Sequence, residues 1–308
     1  MRSTPGKTGV ASLRAARPAE TDAMQAVWES SYAVDDPASW SRGGWSVAAW
    51  ATHTQVLEVQ RKLVGVIAVR ADPAPDGAMP ARIALDVAAR QEDNAALLVN
   101  GAVELVRAAR GRRARLFVPS RATWMQSAAS AVGFVPVRTI AHMLLPADAP
   151  TPEARPVPGM HSRSIRRGED RRVLDALNRN WAGTWNFVEI SSDMLDEDLV
   201  GQREGMLLGV DDNDTIVATC HAVYDPSERN PDGNPRAWIS NLTVDPHHRQ
   251  RGVARAMLAA GIAHLRARGA TSVTLGVDAN DPAPFRLYQS VGFQVATSQE
   301  AWDKQLGT

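Results

Sequence analysis

Cysteine is nearly missing from this chain of 308 residues: Cys220 stands alone. A single cysteine excludes an internal disulfide, a CxxC redox pair and a cysteine-rich zinc site, and makes a reducing cytoplasm the default compartment. No excess of either charge is present, since Lys plus Arg and Asp plus Glu number 34 each. No whole-protein field therefore draws the chain to nucleic acid or anionic membrane, and any phosphate site has to be local. Long apolar runs are lacking as well, none approaching the ~18 residues of a membrane span. The stretch Met1–Ala19, interrupted by Pro5, Gly6, Gly9 and several arginines, has no signal-peptide core. A soluble cytoplasmic protein with no membrane or nucleic-acid partner is expected. The run Arg107, Arg110, Arg112, Arg113 and Arg115 fits a helix end, where basic side chains complement the macrodipole.

What is present is core material, 44% hydrophobic against 22% charged, over a length that favours about two domains. Five prolines between Leu145 and Gly159 stiffen that stretch and forbid a regular helix or ladder. The organisation expected is a first domain over 10–146, a linker over 147–159 and a second domain over 160–308. The order of elements repeats on the two sides. Ser12–Trp28 and Ser164–Trp181 each read as strand then helix. Leu57–Val69 and Met206–Val223 each read as an apolar hairpin, the second turning at Asp211–Asp214. Ala81–Arg90 and Ala237–Pro246 each lead from a strand into a long helix ending near Gly111 or Gly269, glycines suited to a C′ position. SAASAVGF (Ser127–Phe134) echoes LYQSVGF (Leu287–Phe293).

The most informative stretch is Trp238–Gly269, which changes period from strand to helix. Ile239, Leu242 and Val244 belong to an apolar strand. Ala254, Met257, Leu258, Gly261, Ile262 and Leu265 recur at helical spacing and mark one buried face. Between them, His247–Arg255 places the unpaired first-turn amides of a helix, its positive end, and Arg249, Arg251 and Arg255 together. That combination suits a diphosphate cradle, with Gly252 and the small Ala254 allowing close backbone approach; the alternative is a solvated basic helix start that binds nothing.

With a strand (Ser272–Val277) and then DANDPAPFRLYQSVGF (Asp278–Phe293) following it, this stretch resembles the GCN5-related N-acetyltransferase (GNAT) superfamily. Arg249-Gln250-Arg251-Gly252-Val253-Ala254 matches the family's acyl-CoA signature, and Leu287-Tyr288 with Gly292-Phe293 matches its LY…GF segment. The resemblance is specific over Met206–Val295 and is one of element order alone over Ser12–Leu145. It implies an α/β fold of two tandem GNAT-like acyl-CoA N-acyltransferase domains, each a mixed central sheet flanked by helices. Two-domain members with one worn half include mycothiol synthases.

The resemblance further implies a V-shaped opening between Ile239–Val244 and Ser272–Val277. Pantetheine of acetyl-CoA would lie on the backbone of Leu242 and Val244, the acetyl group near Leu242 and Thr243, and the diphosphate on Arg249–Arg255, including Gln250 and Val253. Tyr288 would protonate the leaving thiolate, its alternative reading being an aromatic packing residue. Asn280 or Asp281 would contact the cofactor, although Asp281-Pro282 also reads as a helix N-cap with Pro at N1. Where many relatives carry a glutamate, the strand Arg236–Asn241 has no carboxylate. His221 and Glu189 are then the candidate bases, each with a simpler reading as a hydrogen-bonded structural residue. Trp181, Trp185 and Phe187 are candidates for the wall of the acceptor site, or for the core. The acids Asp193–Asp198 fit the start of a capped helix better than an amine trap. No metal site is read.

Matching Gly111 to Gly269 sets Gln91–Ala96 against Arg249–Ala254, and matching Gly133 to Gly292 sets Ala129 against Tyr288. The first copy then lacks both cradle and proton donor, and it is expected to shape the acceptor cleft rather than bind acyl-CoA. The function expected is transfer of acetyl from acetyl-CoA to a small-molecule or peptide primary amine by direct attack. The alternative is a non-catalytic acyl-CoA-binding sensor.

Overall fold

The computed structural model describes residues 11–37, 53–70, 73–153 and 155–307. The first ten residues of Met1–Ala19 and Ala154 of the proline-rich stretch lie outside the described residues. In chain order the elements are β1 (Ser12–Ala15), α1 (Thr21–Asp35), β2 (Thr54–Val59), β3 (Lys62–Val69), β4 (Met79–Leu85), α2 (Glu92–Ala108), β5 (Arg113–Pro119), α3 (Thr123–Val132) and β6 (Val135–Leu145). They continue with β7 (Met160–Ser164), α4 (Asp170–Trp181), α5 (Ser192–Leu199), β8 (Met206–Asp211), β9 (Ile216–Arg229), β10 (Pro235–Val244), α6 (Val253–Ala267), β11 (Val273–Asp278), α7 (Pro282–Val291) and β12 (Gln294–Gln305). Among the described residues no helix is long and apolar enough to cross a membrane.

The chain divides into two compact units, the first holding residues up to Ile140 together with 297–308, and the second Ala141–Ala296. The division thus falls inside β6 and β12 rather than in the proline-rich stretch at 147–159.

In the first unit β1, β2, β3 and β4 are antiparallel neighbours, and β5 joins β4 in parallel. Gln60 and Arg61 close the β2–β3 hairpin at φ 52° and 66°, the pair of positive values that a tight hairpin needs to match strand twist. Gln299–Gln305 of β12 run antiparallel to β5. One face of the sheet buries Leu57, Ile67, Ile83 and Leu116 with Leu98 and Val106 of α2. The other buries Val56, Val66 and Ala84 with Met24, Trp28 and Tyr32 of α1.

The second unit repeats the plan. β7, β8, β9 and β10 are antiparallel neighbours, and β11 joins β10 in parallel. Val173 and Leu177 of α4 and Leu195 of α5 pack on Met206, Leu208, Val210 and Ile216. Met257, Leu258, Gly261, Ile262 and Leu265 of α6 are buried as the helical spacing predicts, and Ala254 is half-buried. Ser191 caps α5 by accepting from the Met194 amide at 3.2 Å, so the acids that follow sit in a capped helix.

The repeat is one residue out of the register predicted from glycines. Gly269 is at C′ of α6 with φ 97°, but in the first unit the residue with positive φ past the helix is Arg110, at 60°. The closing hydrogen bonds agree: Gly111 N–H donates to Val106 and Ala270 N–H to Leu265. Gly111 is a glycine for another reason. A Cβ there would lie 2.3 Å from Met79 Sδ and 2.6 Å from Val106 Cγ1, so the side chains of Met79 on β4 and Val106 on α2 crowd the position. The match of Gly133 to Gly292 does hold, both being left-handed C-caps.

Candidate active site

β10 keeps its pairing with β9 as far as Val244, whereas it pairs with β11 only at Trp238↔Thr274 and Ile239↔Leu275. A bulge between Ile239 and Asn241 inserts Ser240 at the point of parting, and bulges bend a strand and end pairing in this way. Beyond Ile239 the backbone of Leu242, Thr243 and Val244 therefore has no β11 partner on that edge; the Val244 carbonyl accepts from Arg249 Nε at 3.2 Å, and the other peptide groups there require some other partner. The expected opening between the two strands is present.

At the end of β10, Asp245 accepts from the His247 amide at 2.9 Å and starts a short 3-10 turn, Pro246–His248. The chain then turns back through Gln250 (φ 61°) and Gly252 (φ 81°), the latter being the N-cap of α6. A Cβ on Gly252 would meet nothing within 4 Å, so glycine serves the left-handed backbone and the space before the helix stays open. No side chain caps α6, which leaves the Val253, Ala254 and Arg255 amides as first-turn donors at the positive helix end. An open cradle of amides fits the diphosphate of an acyl-CoA.

The three arginines separate. Arg251 is exposed at the turn. Arg255 donates to Ser290 Oγ of α7. Arg249 faces inward: its Nε donates to the Val244 carbonyl and its Nη2 to the Asn180 carbonyl of α4, both at 3.2 Å. In the corrected register its counterpart is Arg90, whose Nε donates to Leu85 O and Nη2 to Ser31 O of α1, both at 3.4 Å. The first copy thus keeps the strut, and keeps Gln91 for Gln250. Arg251 has become Glu92, Gly252 has become Asp93, and α2 starts at Glu92, two residues before the corresponding start of α6. Asn94 donates to Ala89 O inside that turn. Arg249 is accordingly a brace between strand end and first helix, while the groups that differ between the copies are those suited to a diphosphate.

Tyr288 lies in α7, buried, with its ring edge-on to Phe293 at 5.9 Å between centroids. Burial pushes its phenol well above the ordinary value, and Cys220, the cross-strand partner of Leu242, adds to the rise. The Cys220 thiol is itself pushed up to about 12 by burial, which leaves it inert as a nucleophile. Asp281 accepts from the Ala283 amide at 3.1 Å and caps α7. Asn280 is exposed beside it.

On the other face of β9, His221 is 2% exposed and directly opposite Asn241. Its Nδ1 lies 3.0 Å from Ser240 Oγ, and burial holds the imidazole down at about 4, so it is neutral at pH 7. Glu189 is exposed in the segment between α4 and α5, where Asn178 brackets Ile190 with two hydrogen bonds. No hydrogen bond among the described residues brings Glu189 to the other candidates. Trp181 packs on the α4 core, and Trp185 and Phe187 are half-buried in the same segment. Sequence reasoning passed over Ser240, Asn241 and Asn180. The Ser-Asn pair that interrupts the apolar strand Trp238–Val244 was the available signal for the first two.

Part of the chain matches a known family. Residues 171–293 match the Acetyltransferase (GNAT) family. The match covers less than half of the chain. The matched segment holds both the cradle and Tyr288. Over 168 residues the chain is 31% identical to a mycothiol acetyltransferase of Saccharopolyspora erythraea, covering 52% of each protein, so it spans about half the length of that relative. Two solved structures share the fold across 97% of the chain. One is a GCN5-related N-acetyltransferase from Sphaerobacter thermophilus, at 19% identity, 97% coverage of that chain and TM-score 0.75. The other is a tandem GNAT protein from the clavulanic acid biosynthesis pathway, at 16%, 99% and 0.66. The α/β fold is thus that of tandem GNAT proteins.

Proposed function

We propose that the protein is an acetyl-CoA-dependent N-acetyltransferase and that its second unit carries the chemistry. The observation that supports this most is the bare edge of β10 leading into the uncapped Gly252 turn, an extended backbone slot that ends in an amide cradle. Acetyl-CoA would lie with pantetheine along Leu242–Val244 and diphosphate on the amides of Arg251–Arg255. A primary amine attacks the thioester carbonyl, a C–N bond forms, and the C–S bond breaks. The proton lost by the nitrogen goes to a base or to water, and Tyr288 supplies one to the departing sulfur. Its raised pKa keeps the phenol protonated, as a donor must be. For the proton from nitrogen, His221 is neutral and reaches the opening through Ser240, which favours it over Glu189. The acceptor is a small-molecule amine, and the likeness to a mycothiol acetyltransferase favours one of the mycothiol type. Release of CoA thiol from acetyl-CoA, measured against a library of primary amines, tests the reading. Binding of acetyl-CoA with no turnover on any amine would sink it.

Two outcomes concern the cradle. Arg251→Glu places a carboxylate where the diphosphate binds and removes a charge-assisted donor. Acetyl-CoA affinity should then fall by ~10-fold or more, as a bond of about 1.5–3 kcal/mol requires. Titration of the folded variant with unchanged affinity would refute the assignment. The first unit carries Glu92 and Asp93 at the positions of Arg251 and Gly252, and Ala129 at that of Tyr288. Calorimetric titration should accordingly give one acetyl-CoA per chain, and a stoichiometry near two would show that the first unit still binds.

A further inference from the structure

We propose that Ser240 and Asn241, the two residues of the β10 bulge, form the floor that receives the acceptor: Ser240 accepts a hydrogen bond from its amine, and Asn241 donates one to a neighbouring oxygen of the same molecule. This rests on the acetyltransferase reading above and extends it to the class of amine. Ser240 is exposed where β10 parts from β11. Its Oγ lies 3.0 Å from His221 Nδ1 and 3.4 Å from the His221 carbonyl. A neutral imidazole either accepts the serine proton at Nδ1, or donates there and leaves that proton to the carbonyl. Under both tautomers the hydroxyl hydrogen turns towards His221, and an oxygen lone pair faces the opening. Ser240 therefore presents an acceptor, which is what an amine N–H needs.

The polarity of Asn241 is set by a second chain of side chains, all on the α4 face of the sheet. Asn180 Nδ2 donates to Thr243 Oγ1 at 3.1 Å, Thr243 and Thr219 are 2.7 Å apart, and Thr219 Oγ1 donates to Asn241 Oδ1 at 3.2 Å. The first three residues are buried, at 2%, 5% and 0% exposure. Because the chain begins at an amide N–H, Thr243 passes its own proton on to Thr219, which passes its proton on to Asn241. The Asn241 carbonyl oxygen is thereby occupied, and its Nδ2 is left to donate. Asn241 is half-buried rather than sealed, so that donor has an outlet. Adjacent positions of opposite polarity select an amine with an oxygen close by, as in an amino alcohol, an amino sugar or an aminoacyl group.

The test uses the full chain with acetyl-CoA and four probe amines: D-glucosamine and ethanolamine, and their counterparts without the neighbouring oxygen, cyclohexylamine and ethylamine. Wild type is expected to prefer the oxygen-bearing pair. Ser240→Ala should lower kcat/KM for every amine by ~10-fold or more, through a higher amine KM together with a lower kcat, with acetyl-CoA affinity within about two-fold of wild type. Asn241→Ala should abolish the preference for the oxygen-bearing pair. Wild-type amine kinetics in Ser240→Ala, a preference that survives Asn241→Ala, or loss of acetyl-CoA binding in the Ser240 variant would each overturn the inference alone. A wild-type protein that binds acetyl-CoA and acetylates none of the amines overturns the transferase reading and the inference with it.

Discussion

Replacing Tyr288 by Phe is expected to lower the rate of acetyl transfer by ~100-fold while leaving acetyl-CoA affinity within about two-fold of wild type. The substitution keeps the ring and its edge-on contact with Phe293, so packing of α7 against the strand that follows it is retained. In the proposed mechanism it removes one proton, the one that would neutralise the thiolate as the C–S bond breaks. Without it the leaving group departs as an anion beside buried apolar strands, where charge is poorly solvated. The pH dependence carries a second check. Burial raises the phenol above its ordinary value, so the protonated, donating form persists to higher pH than in a free tyrosine. The alkaline limb of kcat in the wild type should therefore stay flat up to and beyond pH ~10, the ordinary phenol value. Thiol release at saturating acetyl-CoA and amine measures both. A Phe variant with wild-type turnover would return Tyr288 to a packing role.

The parts of this architecture that were legible in the sequence are those written by local rules. The Arg249–Ala254 signature, the period change into α6, the Asp281-Pro282 cap and the echo of Gly133-Phe134 by Gly292-Phe293 all depend on residues adjacent in sequence. The last three stand in the structure where they were read. The unit boundary was not legible. Prolines mark where a chain cannot be regular, but compactness depends on which strands pair, and the pairing of Gln299–Gln305 with β5 joins residues nearly two hundred positions apart. The register of the repeat failed for a related reason. Gly111 is small because Met79 crowds it, a tertiary cause, whereas the left-handed C′ position belongs to Arg110. Arg249 shows the same limit in the site itself: a motif arginine reads as an anion ligand, and only its inward hydrogen bonds and its survival as Arg90 reveal a brace. Ser240 and Asn241 acquire their polarity from His221, Thr219, Thr243 and Asn180, residues up to about sixty positions away, which no local pattern could expose.

Loss of the Asp303 carboxylate is expected to destabilise the first unit by about 3–5 kcal/mol, the usual result of breaking a buried ion pair. Asp303 of β12 is the register partner of Arg115 of β5, and the Arg115 side chain is only 1% exposed. The guanidinium forks onto the carboxylate, Nε to Oδ1 and Nη2 to Oδ2, both at 2.7 Å. Nη2 also donates to Asp76 Oδ2 at 2.7 Å. Asp76 is the more exposed of the two acids, and its carboxyl is held below the ordinary value by Arg115 against the opposing cost of burial. In Asp303→Ala the guanidinium keeps that one outer carboxylate and loses the bidentate partner across the strands. Ala301 and Leu306 on the same terminal stretch bury their side chains in this unit, so a strand held less firmly also exposes apolar surface. A fall in Tm on the order of 10 °C follows for a unit of this size, read by calorimetry or near-UV circular dichroism. Replacing both partners, Arg115→Met with Asp303→Leu, should recover much of the loss, since the buried guanidinium is then gone and Asp76, the more exposed acid, keeps Arg113 at 3.0 Å. If Asp303→Ala melts with the wild type, the bridge contributes nothing and β12 is held by its backbone ladder alone.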